Sequence, residues 1–215
     1  MATTFENAAK TRGKLDLLAE HKSLYLPSSD EVVVVDVPVF RFLMIDGAGD
    51  PNTAQAYRDA VEALYSVAYA VKFMLRDEQG LDARVMPLEG LWWADDMAEF
   101  SANDKDRWLW TMMIAQPEVV TPDHVARAIE RVAARKPLAV LARMRFDDFH
   151  EGLCVQIMHH GPYSAEGPAI ARLHAFIRDH GYAITGKHHE IYLSNARRSA
   201  PERLKTIVRQ PIRPA

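Results

Sequence analysis

LEGLWW (Leu88–Trp93) and, one hundred residues on, HHEIYL (His188–Leu193) are the two stretches whose reading decides the fold. Each is short and rich in apolar and aromatic residues, which favours a strand. Laid over one another at an offset of 100, Gly90 falls on Glu190, Leu91 on Ile191, Trp92 on Tyr192 and Trp93 on Leu193. Upstream the match continues at an offset of 112: Ile45 falls on Ile157 and Gly49 on Gly161, while Tyr57, Val61, Leu64 and Tyr65 fall on Ala169, Leu173, Phe176 and Ile177. Downstream, closing strands end in Gln116-Pro117 and in Gln210-Pro211. Pattern and order of elements, more than identity, carry this internal repeat.

Working outward, each half reads strand–helix–strand–strand. In the first, β-branched Val32–Val35 is interrupted at Pro38 and resumes as VFRFLMID (Val39–Asp46). Gly47-Ala48-Gly49-Asp50-Pro51-Asn52 is a turn, with Asn52 or Thr53 as the N-cap of a helix. Tyr57, Val61, Leu64, Tyr65, Ala68, Val71, Lys72 and Leu75 follow its amphipathic rhythm, and Gly80 ends it. Strands are expected within Ala83–Ala94 and Trp108–Ala115. A helix over 122–136, capped by Thr121 with Asp123 in its first turn, links the halves. The second half then predicts strands over Leu138–Phe146 and Leu153–His159, a turn at His160–Tyr163, a helix over Ala165–His180 closed by Gly181, and strands over Lys187–Leu193 and Arg203–Ile212.

A unit of this size cannot bury both faces of its own small sheet. Two copies that pair strands can, which predicts an α+β fold: one antiparallel sheet, helices on one face, and a ligand groove on the other. The expected division is a peripheral N-terminal arm over 1–31 and a single domain over 32–215, built of pseudo-repeats 32–117 and 138–212.

Composition agrees with such a body. Of 215 residues, 48% are apolar and 26% charged, ordinary globular values that exclude a disordered chain, a collagen-like fibre or a coiled coil. With 26 basic and 29 acidic residues the formal charge is −3, so there is no basic stripe for nucleic acid. A single cysteine, Cys154, excludes a disulfide framework or a thiolate metal cluster within one chain and suits a reducing cytoplasm. No apolar run approaches the ~18 residues of a membrane helix, and the first residues, with Thr3, Glu6, Asn7 and Lys10, lack the apolar core of a signal peptide, so none is expected.

Strand alternation divides HHEIYL into two faces. His189, Ile191 and Leu193 share one, expected under the helices; His188, Glu190 and Tyr192 share the other, toward the groove. The first half places Leu88, Gly90 and Trp92 on the groove face, so Glu190 is a carboxylate where the other copy leaves space. Trp92, Tyr192, Trp108, Trp110 and Tyr163 lie on or beside the facing elements. A carboxylate ringed by aromatics is desolvated, which raises its pKa and suits it to bind a cation, accept a donor or act as a general base. Other motifs are weaker. Gly47-Ala48-Gly49 lacks the dinucleotide fingerprint and no Gly-Lys-Ser/Thr follows it. His159-His160 and His188-His189 each offer one side chain per strand face, and Leu193 stands where a zincin has its second histidine, so no metal is expected. No Gly-x-Ser-x-Gly elbow occurs, Cys154 lies in an apolar strand, and no cofactor is implied.

Five segments together resemble the GyrI-like small-molecule-binding proteins, in their stand-alone single-domain branch: FLMIDGAGDPN (Phe42–Asn52), LEGLWW (Leu88–Trp93), EGLCVQIMHHGPY (Glu151–Tyr163), HHEIYLSNARR (His188–Arg198) and LKTIVRQPI (Leu204–Ile212). The resemblance spans 32–212, with Asn195 where an aspartate is expected. It implies the tandem strand–helix–strand–strand fold with a ligand groove between the units. Relatives fused to a DNA-binding helix-turn-helix are drug-sensing regulators, in which the glutamate matching Glu190 meets cationic or polar aromatic ligands; no such segment precedes residue 32, so a regulator is not expected. The stand-alone branch is similar to cyclopropanoid hydrolases, which open the cyclopropane of DNA-alkylating natural products. On that resemblance Glu190 is the expected general base, and Tyr163 or Tyr192 orients water or donates to the developing phenolate. Trp92 and Trp110 would stack on a planar substrate, and His188, Phe42, Met44 and Tyr69 are further candidate ligand contacts. The alternatives are a non-catalytic module that sequesters planar aromatic or cationic ligands, and a gyrase-interacting protein.

Overall fold

A computed structural model describes residues 13–94, 105–195 and 198–215. The first twelve residues of the expected arm, and Ala196-Arg197 of the HHEIYLSNARR stretch, lie outside the described residues. The elements run β1 (Gly13–Leu15), α1 (Leu17–Glu20), α2 (Lys22–Tyr25), β2 (Val33–Ala48), α3 (Gln55–Gln79), β3 (Leu81–Ala83), β4 (Leu88–Trp93), β5 (Leu109–Gln116), α4 (Pro122–Arg135), β6 (Arg145–His160), α5 (Gly167–Asp179), β7 (Tyr182–Ile184), β8 (His188–Tyr192) and β9 (Lys205–Pro214). The fold is mixed α+β with a largely antiparallel sheet. Its strands follow the order β6-β2-β5-β4-β8-β9, and β9 pairs again with β6, closing a barrel-like ring. The one parallel pairing among the described residues joins β1 to β3. None of the described helices is long and apolar enough to cross a membrane.

Register ties the site to this ring. Ile45, Met112 and Gly90 stand in one row across β2, β5 and β4, and Ile157, Val208 and Glu190 stand in one row across β6, β9 and β8. Gly90 and Glu190 face each other where β4 meets β8. The Gln-Pro endings do not mark equivalent places: Phe42 pairs Ala115 while Cys154 pairs Pro211, so β9 runs two residues ahead of that alignment.

Helices α3 and α5 cover the outer face. Ala60, Ala63, Leu64, Val67, Val71 and Leu75 of α3 are buried with Leu43, Ile45, Met112 and Ile114 of the strands; Ala169, Leu173 and Ile177 of α5 are buried with Val155, Ile157 and Val208. Burying each of the Val, Leu, Ile and Met side chains is worth about 1.5–3 kcal/mol. Gly80 ends α3 at φ 69, the left-handed conformation that favours glycine.

Several local expectations change. β2 is continuous through Pro38, because that residue lies in the stretch before β2 meets β5, where one edge is free and a missing N–H is tolerated. The strand expected over Leu138–Phe146 is instead a 3₁₀ turn at Ala139–Arg143, and β6 starts at Arg145 and runs on through Leu153–His159. The cap of α3 is Ala54, with no side-chain cap bond, and not Asn52 or Thr53; Asn52 instead directs its backbone and side-chain amides to the Asp50 carboxylate. From residue 13 the segment expected as a peripheral arm packs closely: Leu17, Leu24 and Tyr25 are buried.

Candidate active site

A cavity of about 480 Å³ opens over the β4–β8 seam. Its walls are Tyr57, Val61 and Tyr65 of α3, Leu88 and Trp92 of β4, Glu190 and Tyr192 of β8, Tyr163 and Glu166 before α5, and Trp108 with Lys105 at one side. The division of HHEIYL into two faces is right, but its sides are exchanged. Glu190, Tyr192, His188 and Trp92 lie on the helix-bearing face, and the cavity sits between that face and the helices. The opposite face is the inside of the ring, because the sheet closes on itself, and a ring of so few strands has an interior just wide enough for side chains.

That interior holds a buried charged network. His189 Nδ1 lies 2.9 Å from Glu151 Oε1, and its Nε2 lies 3.0 Å from Glu89 Oε2. Arg209 donates to Glu151 at 3.1 Å, to Gln156 at 2.9 Å and to the Leu24 carbonyl at 2.8 Å, and Tyr25 donates to Glu89 at 3.2 Å. Burial alone would lower the His189 pKa, but the facing carboxylates of Glu151 and Glu89 outweigh it and raise it to about 9.

On the cavity side, Trp92 Nε1 donates to Tyr192 Oη at 3.0 Å, and Tyr192 Oη donates to Glu190 Oε2 at 2.7 Å. His188 Nε2 lies 3.2 Å from Glu190 Oε1. The Glu190 side chain is 13% exposed. Gly90 makes room for this chain of donors, since a Cβ there would stand 2.8 Å from Trp92 Nε1. Above the floor, Tyr57 stacks on Trp92 with ring centroids 6.1 Å apart, Trp108 meets Trp92 edge-on at 5.5 Å, and Tyr163 meets Tyr192 edge-on at 5.4 Å.

The second carboxyl was not among the sequence candidates. Glu166 is buried and lines the same cavity as Glu190, close enough for each charge to act on the other. Burial and then the Glu190 charge raise its pKa to about 9. Burial pushes Glu190 up as well, but bonds from His188, Tyr192 and Glu166 outweigh it and hold Glu190 below the ordinary carboxylate value. The expectation of a raised Glu190 pKa is therefore corrected: aromatic surroundings desolvate it, yet its own donors favour its charged form, and it is Glu166 whose pKa rises. In sequence Glu166 stands one residue before the Gly-Pro start of α5, where an acid reads as a cap, although its side chain caps nothing.

Other candidates fall apart from the cavity. Trp110 is buried behind it, edge-on to Tyr57 at 5.5 Å, and so backs the wall without lining it. Phe42 and Met44 pair with Ala115 and Met113, which puts them on the ring's inner face by strand alternation. Tyr69 lies one helical turn beyond Tyr65 and is 48% exposed beside Phe73. His188 supports Glu190 without lining the cavity. Tyr57 and Tyr65 were read as core-facing positions of the helix; the same periodicity serves a cavity wall.

A family model described as a GyrI-like small molecule binding domain matches residues 30–213. Among solved structures, a conserved uncharacterized protein from Listeria innocua is 40% identical over 93% of this chain and all of its own, with a TM-score of 0.86. A protein described as a hydrolase from the same organism is 38% identical over 93% of this chain and all of its own, with a TM-score of 0.84. The C-terminal domain of EcmrR shares the fold alone, at 11% identity over 86% of this chain and 98% of that one, with a TM-score of 0.55. No curated protein matches the chain.

Proposed function

The chain belongs to the GyrI-like small-molecule-binding domain family, and on that premise we propose that it is a hydrolase that adds water to the strained cyclopropane of electrophilic polycyclic compounds. The observation that carries this reading is a buried carboxylate, Glu190, at the floor of an aromatic-walled cavity. A cyclopropane conjugated to a carbonyl opens when a nucleophile attacks its exposed carbon. Water in that role must lose a proton, and Glu190 is the acceptor. Tyr192 already directs its proton at Glu190, so it orients the base. Tyr163, at the rim, has its pKa pushed up to about 12 by burial and nearby carboxyls, and so remains a neutral donor for the oxygen that gains charge. Tyr57, Trp92 and Trp108 receive the flat body of the substrate, with stacking worth about 0.5–1.5 kcal/mol per ring pair beyond area. The likeness to proteins described as hydrolases at 38% identity supports the reaction class.

The equivalent rows also support two copies of one ancestral unit. On that view the site arose where one copy kept Gly90 and the other acquired Glu190.

The test is Glu190→Gln, assayed by mass spectrometry for addition of water to a spirocyclopropyl cyclohexadienone. Binding should persist while turnover falls at least a hundred-fold, on the order of a lost general base. An undiminished rate removes Glu190 from that role. Wild-type protein that binds one equivalent and converts none would instead be a sequestration module.

A further inference from the structure

We propose that Glu166 is a second catalytic residue, and that the Glu166 and Glu190 carboxyl groups, buried on the floor of one cavity, work together as the base. This rests on the hydrolase reading and assigns a residue to it.

The geometry comes first. Glu166 is only 4% exposed and lines the cavity, and its buried Oε1 has no hydrogen-bond partner among the described residues. A buried carboxyl oxygen left unpaired beside a cavity implies a donor that arrives there, because such groups otherwise find partners. Glu190 differs, since both its oxygens are already held, by His188 and by Tyr192. Water seated between the two carboxyls can donate one hydrogen to Glu166 Oε1 and present the other to Glu190.

Two carboxyl groups that act on each other's charge cannot both ionise readily, and their protons belong to the pair. The groups facing it are His188 and Tyr192 from β8, Tyr57 and Tyr65 from α3, Tyr163 before α5, and Lys105 from the 3₁₀ turn at Lys105–Arg107. Burial holds these tyrosines protonated well past neutral pH. While the pair holds its proton, it takes a second one poorly, because Glu190 is kept charged. Once Glu166 has lost its proton, the pair is a strong base.

The step balances as follows. Water oxygen bonds to the ring methylene as the ring C–C bond breaks. The electron pair of that bond passes through the dienone to the carbonyl oxygen. Water's proton passes to the deprotonated carboxyl pair, and the phenolate is protonated from solvent.

Two measurements on the full chain test this. Isotope-edited infrared spectroscopy should find a protonated-carboxyl carbonyl band at neutral pH that bleaches as pH passes about 9 and is missing in Glu166→Gln. With the spirocyclopropyl cyclohexadienone, wild-type kcat/KM should rise about ten-fold per pH unit toward that value and then level, whereas Glu166→Gln should give a flat profile. Absence of the band, or an unchanged rising limb in Glu166→Gln, overturns the proposal. A band without turnover at any pH leaves the shared proton standing and overturns the hydrolase reading, and with it the catalytic role of Glu166.

Discussion

At Gly47 the ring of Trp110 lies where a side chain would begin: a Cβ there would stand 2.0 Å from the indole. Trp110 in turn donates to the Gly49 carbonyl at 3.2 Å and backs Tyr57, which stacks over Trp92 at the cavity. Gly47→Ala should therefore cost about 1–3 kcal/mol or more through overpacking, read as a lower denaturation midpoint, and should weaken binding of planar ligands. A variant as stable as wild type would mean that Trp110 repacks freely. In sequence the Gly-Ala-Gly run looked like a tight turn and nothing else. Gly49, at φ 98, meets that description, but the role of Gly47 depends on a tryptophan sixty-three residues away.

Elements were most legible where local chemistry suffices. Helix α4 starts after Thr121 as expected, with the Thr121 side chain accepting from the His124 amide and His124 returning a bond to the Thr121 amide. Thr121→Ala should cost about 1 kcal/mol, measured by denaturant unfolding, since it leaves an end amide unpaired. An effect near zero would show that tertiary packing alone sets the start of α4. Strand β8 is the contrasting case. Its alternation correctly separates Glu190 from His189, because period two is a property of any extended chain. Which side faces the helices depends on how the sheet closes, and that closure pairs β6 with β9 across almost the whole second half.

Across the whole molecule, buried charge sets the response to pH. Native His189, raised to about 9 from 6.5, binds a proton that the unfolded chain releases between those values, so its stabilisation is complete below about 6.5 and lost as pH rises through 9. Glu166, raised from 4.5 to about 9, also makes the native state bind more protons over that window, and so acts in the same direction. Unfolding free energy should fall between pH 6.5 and 9.5, by on the order of 3 kcal/mol from His189 alone. Glu151 and Asp16, held below their ordinary values, act only in acid, where their stabilisation is lost as pH falls. Stability that stays flat or rises over pH 6.5–9.5 would contradict the assigned charges of the interior network.

By itself the sequence determined the start of α4 at Thr121, the end of α3 at Gly80, the sharing of one strand face by His188, Glu190 and Tyr192, and a carboxylate set among aromatics. These follow from backbone period, glycine and proline conformation, and hydropathy, all of which act over a few neighbouring residues. Only the tertiary structure decided that the sheet closes into a ring, that the cavity lies beneath the helices, and that Glu166 shares that cavity with Glu190. Those outcomes depend on contacts between residues distant in the chain. The location of one proton depends on them most of all, because it is fixed by the balance of burial, neighbouring charge and donors that folding brings together.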